Sequence, residues 1–331
     1  MPMSSPLLTI VVPTYNRAEN LGLLLGALRA ELNGLESQVQ VLVSDNASTD
    51  QTPEITGAMA RDWDALTVQR HIINLGPDGN FCSGVHRVTT RYFWIIGDDD
   101  CPKSGVIAKI LRLLSERQPA LVYMQSEWLN QITGPEQGTP VGDLDVEWME
   151  AEIFAKSVHV WVTFISGMVI DKTRLESALG KNKIERFNQT NLVQLGWIFP
   201  LLMTGGPFAF IRNKCILATS DNSGGYKLLT VFGVNFTRIT RESFGKESVL
   251  TRLFIRGNLI NHLPNVVWRG RKSAVRKTHE SENTWEVLNR EIGSYLIYWL
   301  LLVPLGRFPR WIMQPVFQSW RVLSYLRRAS R

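Results

Sequence analysis

The stretch Arg91-Tyr-Phe-Trp-Ile-Ile-Gly-Asp-Asp-Asp-Cys-Pro102 constrains this chain more than any other. Tyr92 to Ile96 is a continuous run of aromatic and apolar residues, as expected of a strand covered on both faces. Gly97 permits a sharp exit from it. Asp98, Asp99 and Asp100 then fall at the carboxyl end of a central strand, the edge at which open α/β sheets bind ligands. Three adjacent carboxylates repel one another unless a positive charge lies among them. Two readings follow from these residues alone. A divalent cation with bound phosphates neutralises the triplet, or Asp100 caps a helix starting near Pro102 while Asp98 and Asp99 stay hydrated.

Other short apolar runs precede and follow this one. Leu7–Val12, Val39–Val43, Leu66–Val68 and Leu121–Met124 read as strands, and Phe164–Ile170 as a strand with a small Ser-Gly pair inside. Leu21, Leu24, Leu25, Leu28 and Leu32 recur at helical spacing, as do Phe81, Val85 and Val88, then Val106, Ile110, Leu113 and Leu114. Thr52 before Pro53 has the form of a helix N-cap. Gln131–Asp145, rich in glycine, proline and acids, reads as a loop or insertion. Alternating strands and helices with short connections imply a mostly parallel sheet covered on both faces.

Composition excludes several classes. With 331 residues, 44% hydrophobic and 20% charged, the chain is a folded globular protein. Its three cysteines, Cys82, Cys101 and Cys215, form no Cys-x-x-Cys spacing, which argues against a disulfide framework or zinc ribbon and fits a reducing compartment. From Arg290 onward there are seven arginines and one acid, so this tail accounts for the whole net charge of +6. A nucleic-acid-binding face on the main domain is therefore not expected. No Gly-x-Gly-x-x-Gly or Gly-Lys-Ser/Thr loop follows the first strand, which disfavours a dehydrogenase or P-loop kinase. The first apolar run is too short and too weakly flanked for an export signal.

Four motifs in order carry a family resemblance: Val12-Pro-Thr-Tyr-Asn-Arg17, Asp45-Asn-Ala-Ser-Thr-Asp50, Asn74-Leu-Gly76 and Asp98-Asp-Asp100. Together they resemble glycosyltransferases of family 2. The resemblance implies an α/β fold of the GT-A type, a mostly parallel sheet flanked by helices, here followed by a C-terminal helical amphipathic extension. It divides the chain into residues 1–125, the nucleotide-sugar half; residues 126–289, the acceptor half; and residues 290–331, a basic amphipathic tail. It also implies a nucleotide diphosphate sugar donor, a saccharide acceptor and inversion at the anomeric carbon.

Carried over residue by residue, Pro13, Thr14, Tyr15 and Arg17 border the nucleobase pocket. Asp45 bonds the base, and Asn74, Gly76 and Asn80 pass near the ribose and diphosphate. Asp98 and Asp100 match the outer members of an Asp-x-Asp motif, the last ligating the metal and the first facing the ribose; Asp99 lies between them. Asp98 and Asp100 are thus the expected ligands of Mn²⁺ or Mg²⁺, hard cations suited to oxygen donors. Inverting transfer needs a base for the acceptor hydroxyl. The family's usual Glu-Asp pair is missing, leaving Glu185 and Asp221 as candidates, against a solvated helix charge and a turn residue respectively. A subgroup resemblance, through Phe164-Ile-Ser-Gly167 and Thr190-Asn-Leu-Val-Gln194, is to abequosyltransferases of O-antigen assembly.

Tyr295–Val303 is too short an apolar run to span a bilayer. The arginines after it alternate with Phe308, Trp311, Ile312, Val316, Phe317 and Trp320, a pattern suited to the headgroup layer of an anionic membrane. Packing of this tail on the domain is the alternative, and both can hold along its length. The expectation is a peripheral enzyme on the inner face of the cytoplasmic membrane that takes a lipid-linked saccharide. A soluble or protein acceptor, or a non-catalytic nucleotide-sugar-binding scaffold, are the other readings.

Overall fold

A computed structural model describes residues 5–180, 183–219, 227–271 and 284–329, without the side chains of 284 and 325–329. Its first elements are β1 (Leu8–Thr14), α1 (Ala18–Glu31), β2 (Val39–Asp45), α2 (Thr52–Arg61), β3 (Leu66–Arg70), α3 (Gly76–Arg87) and β4 (Tyr92–Ile95). There follow β5 (Cys101–Pro102), α4 (Val106–Arg117), β6 (Leu121–Leu129), β7 (Val146–Met149), α5 (Ala151–Val158), β8 (Met168–Asp171), α6 (Lys172–Leu179), α7 (Leu195–Thr204) and β9 (Phe208–Thr219). The strands form one sheet in the order β3-β2-β1-β4-β8-β6-β9-β5, with β7 against β9.

The first four strands in that order pair in parallel. Beyond β4 the sheet is mixed, because β8 runs antiparallel to both β4 and β6 while β6 and β9 are parallel. Every residue of β1 and β4 is buried, as continuous apolar runs require. Leu21, Leu24, Leu25 and Leu28 seat α1 on the same core as Val106, Ile110 and Leu114 of α4.

Three local expectations are corrected. The N-cap of α2 is Gln51, which makes no side-chain cap bond, and Thr52 is the helix's first residue; Asp50 before it accepts from the Thr52 amide through Oδ1 and from the Ala18 amide through Oδ2, each at 3.0 Å. Asp100 caps no helix, since α4 begins only at Val106 after Gly105 at φ 74°, and Cys101–Pro102 pairs with β9 instead. The strand expected over Phe164–Ile170 starts at Met168, because Ile165–Gly167 forms a tight 3₁₀ turn. That turn frees Ser166 for side-chain bonding that a pleated strand would not allow.

Close approach of α3 to the sheet depends on Gly84, where a Cβ would lie 2.6 Å from Val11 Cγ1. Gly84→Ala is expected to cost about 1–3 kcal/mol by overpacking. Urea denaturation of the variant, with no loss of stability, would contradict this packing.

The chain divides into two compact units, Met1–Glu150 with Val162–Asn222, and Ala151–Trp161 with Ser223–Arg331. The second is helical: after α5 it contains α8 (Phe236–Phe244), α9 (Val249–Asn261), α10 (Leu263–Gly270), α11 (Thr284–Ile292), α12 (Val303–Arg307) and α13 (Arg310–Ala329). Residues 290–331 belong to this unit. Tyr298, Leu302, Leu305, Met313 and Phe317 share one buried cluster with Leu259, Val266 and Val267. The apolar run Tyr295–Val303 is therefore partly core, and among the described residues no helix is long and apolar enough to cross a membrane.

Candidate active site at the carboxyl edge of the sheet

The ends of β1, β2 and β4 converge on one edge of the first unit. At the end of β1, Thr14 Oγ1 donates to Asp98 Oδ2 at 2.7 Å, and Arg17 reaches Asp98 Oδ1 at 2.9 Å and Asp99 Oδ2 at 3.3 Å. One guanidinium thus lies between two of the three carboxylates and offsets their repulsion. Asp100 is held differently. Its Oδ2 accepts from Ser166 Oγ at 2.5 Å and its Oδ1 from the Thr219 amide at 3.2 Å. Ser166 Oγ also accepts from the Gly97 amide at 2.9 Å, and Thr219 Oγ1 donates to the Asp99 carbonyl at 2.6 Å.

Burial governs the electrostatics. It pushes the Asp98 carboxyl up to about 6, against the pull of Arg17 and Thr14. Asp100 is pushed up to about 7 by burial and by the neighbouring Asp99 charge, against the bonds from Ser166 and Thr219. Asp98 and Asp100 are 5% and 8% exposed, whereas the Asp99 side chain is 15% exposed. Asp99 is the triplet's most open carboxylate.

At the end of β2, Asp45 is buried, with Oδ1 accepting from the Ser48 amide at 2.9 Å. Its Oδ2 accepts no hydrogen bond from the described protein and meets Arg70 Nε only at 3.4 Å. A buried acceptor of this kind is costly unless something donates to it. Asn46 fixes the neighbouring loop: its Nδ2 donates to Asn74 Oδ1 at 2.9 Å and its Oδ1 accepts from the Leu75 amide at 2.8 Å. Asn74 Oδ1 also accepts from the Gly76 amide, and Gly76 sits at φ 74°, where a side chain would strain the turn. Pro13 lies within β1, and Tyr15 just beyond it is 44% exposed. Asn80 faces inward, where its amide bonds both Ser44 Oγ and the Ser44 carbonyl and fastens α3 to β2.

Of the two base candidates, only Glu185 lies among the described residues. Glu185 pairs with His86 in the last turn of α3, ten residues along from Gly76 and so on the order of 15 Å from the start of that helix. That pairing is the main reason its carboxyl is held below the usual range. Asp221 lies outside the described residues.

Several residues at this edge were not among the site residues expected from the sequence. Ser166 and Thr219 reach Asp100 from 66 and 119 positions away. Asp78, buried in the first turns of α3, accepts from the Asn191 amide at 2.7 Å and the Val193 amide at 3.5 Å. Burial raises its pKa against those bonds. It anchors a loop in which Gln189 and Asn191 adopt positive φ. The Ser-Gly pair at 166–167 was the visible trace of the first of these contacts.

Among the described residues no three carboxylate, histidine or cysteine side chains form a preformed metal cage. The residues nevertheless suit a cation that arrives with a diphosphate, since Mg²⁺-type sites use one or two carboxylates plus phosphate and water. Gly97 leaves open a cradle that a Cβ would fill, 3.1 Å from Asp99 Oδ1 and 3.2 Å from Asp100 Oδ2. The donor set is all hard oxygen.

Comparison with known proteins agrees with this edge. Residues 9–139 match the family model "Glycosyl transferase family 2". An abequosyltransferase of Salmonella typhimurium is 36% identical over 95 residues, 28% of each chain. A GalNAc(5)-diNAcBac-PP-undecaprenol beta-1,3-glucosyltransferase of Campylobacter jejuni is 27% identical over 115 residues, 34% of this chain and 35% of its own. The alignments thus span about a third or less of these relatives' length. Among solved structures, S. aureus TarS 1-349 superposes with a TM-score of 0.61 at 14% identity, covering 98% of this chain and 92% of that one. A mannosyltransferase from Pyrobaculum calidifontis, in complex with GDP-Man and Mn²⁺, gives 0.56 at 13% identity, covering 99% and 88%. On the motifs, the edge they build and these likenesses, the chain has the GT-A fold, and its residues 9–139 match the glycosyl transferase family 2 model.

Proposed function

We propose that the protein is an inverting glycosyltransferase that moves a sugar from a nucleotide diphosphate donor to a lipid-linked saccharide. Its setting is bacterial surface polysaccharide synthesis of the O-antigen kind, at the inner face of the cytoplasmic membrane. The observation that carries this reading is the juxtaposition of a donor-seeking Asp45 Oδ2 with the Arg17–Asp98–Asp99 cluster on one sheet edge. A nucleobase N–H satisfies the first, and a ribose and diphosphate with its counter-cation occupy the second. Relatives whose names specify abequosyl transfer and a PP-undecaprenol-linked saccharide support the class of acceptor.

In this reading Asp45 orients the base, and the loop fixed by Asn46, Asn74 and Gly76 borders the ribose. Asp98, locked by Thr14 and Arg17, faces the ribose and diphosphate. Asp99, the more exposed member though paired with Arg17, is the side chain assigned to Mn²⁺ or Mg²⁺ in this reading, in place of Asp98 and Asp100 expected from the sequence, while Asp100 positions Ser166 and β9 around it. A bound divalent cation supplies charge stabilisation for the departing nucleoside diphosphate. Arg17 adds positive charge beside the same leaving group, where it acts more strongly in a partly desolvated site. For the proton-accepting role, Asp221 is the candidate that follows this edge in the chain, two positions after Thr219, whereas Glu185 is engaged by His86. That engagement is also what favours a second reading, a nucleotide-sugar-binding scaffold without turnover.

A thermal-shift panel of UDP-, GDP-, dTDP- and CDP-sugars, each with and without Mn²⁺, tests the proposal. One donor at 100 times its Kd is expected to stabilise the protein by about 2.7 kcal/mol, with the effect reduced by EDTA and lost in Asp45→Ala. No stabilisation by any donor would overturn the reading. Stabilisation without release of free nucleoside diphosphate in the presence of acceptor lipid would favour the scaffold.

A further inference from the structure

We infer that the outward face of α13 is a docking surface for an anionic lipid bilayer. The helix is apolar on two sides. Its inner side seats Met313 and Phe317 in the core of the second unit, with Phe317 stacked on Trp268 at 4.6 Å and Trp320 Nε1 donating to the Ile260 carbonyl at 2.6 Å. Its outer side carries Trp311, Ile312, Val316, Val322 and Leu323, exposed by 77%, 44%, 42%, 58% and 52%. At about 100° per residue these five fall within roughly 140° of arc, on the side turned away from Met313 and Phe317. A helix apolar on two sides is ordinarily enclosed, and contiguous apolar patches of this kind mark interaction sites.

Charge selects the occupant. Arg310 and Arg321, eleven positions apart and so three turns along one stripe, are both exposed and lie about 80–100° beyond the Trp311 edge of the apolar face, where Arg310 stands over the Trp268 ring at 4.9 Å. No acid occurs in α13, and from Arg290 to the end of the chain seven arginines face a single acid, Glu291. That acid is engaged by Arg238 and Arg241. A second copy of the same face would bring an arginine stripe with no acid of its own against another. An anionic bilayer meets both features at once, with the acyl boundary receiving Trp311 and its neighbours and the arginine-rich segment as a whole drawn to lipid phosphates. This inference goes beyond the donor reading and stands without it, since nucleotide-induced stabilisation and vesicle binding are separate measurements.

The test is co-sedimentation of the full chain with vesicles of phosphatidylcholine alone or with about 30 mol% phosphatidylglycerol. Expected is binding to the anionic vesicles, with a blue shift of tryptophan emission. Raising salt from about 0.15 M to about 1 M should weaken it. The double variant Trp311→Asp/Val316→Asp should bind at least about tenfold more weakly, and so should Arg321→Glu, which removes no apolar contact. Both changes lie at exposed positions, so melting temperatures should match the parent. Equal binding of parent and variants overturns the inference. So does absence of binding, or a light-scattering dimer that Trp311→Asp/Val316→Asp converts to monomer.

Discussion

Asp99→Asn is expected to lower kcat by about 10³-fold or more while leaving the melting temperature of the ligand-free protein unchanged or raised. The expectation follows from how unequally the three adjacent aspartates are held. Both oxygens of Asp100 accept bonds from within the fold, and those of Asp98 accept from Thr14 and Arg17. Asp99 is the most open of the three and raises the proton affinity of both neighbours by its charge. Its removal therefore relieves repulsion in the free protein, against the loss of its pairing with Arg17, and takes away the carboxylate proposed to meet the cation. The Mn²⁺-dependent part of donor stabilisation should disappear with it. Asp100→Ala should behave in the opposite sense, losing stability because Ser166 Oγ and the Thr219 amide are left without their acceptor. Steady-state kinetics beside melting curves separates the two. A stable, active Asp99→Asn would remove Asp99 from the site.

The metal-free protein should become more stable as pH falls from about 8 to about 5, the reverse of ordinary acid destabilisation. Unfolded, both carboxyls titrate near the ordinary value of 3.8, whereas in the fold Asp98 is pushed up to about 6 and Asp100 to about 7. Between those values the folded protein binds more protons than the unfolded chain, so stability declines as pH rises. The stabilisation is complete below the unfolded pKa and is lost as pH rises through about 6 and about 7. For Asp100 the difference amounts to a few kcal/mol, on the order of 1.4 kcal/mol for each tenfold change in proton affinity. Urea denaturation in EDTA at a series of pH values measures it, and Asp100→Asn should flatten most of the slope. A stability that rises steadily with pH in the parent would show that these carboxyls are not shifted as described.

The legibility of each part tracks how local its cause is. Tyr92–Ile95 is apolar throughout and fully buried, and the leucines of α1 show their period directly, so strand and helix could be read from residues close in the chain. Asp45 and Asn74 were legible as short motifs whose loops close on their own backbone. The cap of α2 was misplaced by one residue because Thr52 belongs to the capping class while Gln51, the actual cap, carries no such signal, and only the folded backbone shows where the helix starts. The antiparallel insertion of β8 between β4 and β6 has no local signature, since a short apolar strand reads alike in either direction.

The aspartate triplet shows where that boundary lies. The residues themselves, Gly97-Asp98-Asp99-Asp100 after a buried strand, determined that a carboxylate cluster would stand at the carboxyl edge of the sheet, because chain order and burial of an apolar run are local facts. Only the tertiary structure decided how the work divides among the three. Thr14 and Arg17 come from β1 and the turn after it, Ser166 from a turn before β8, and Thr219 from the end of β9. These donors lie 66 to 119 positions away in the chain. A hydrogen bond acts over about 3 Å, so which carboxylates are buried and which is more exposed beside Arg17 is settled by sheet topology, and no pattern within the triplet records it.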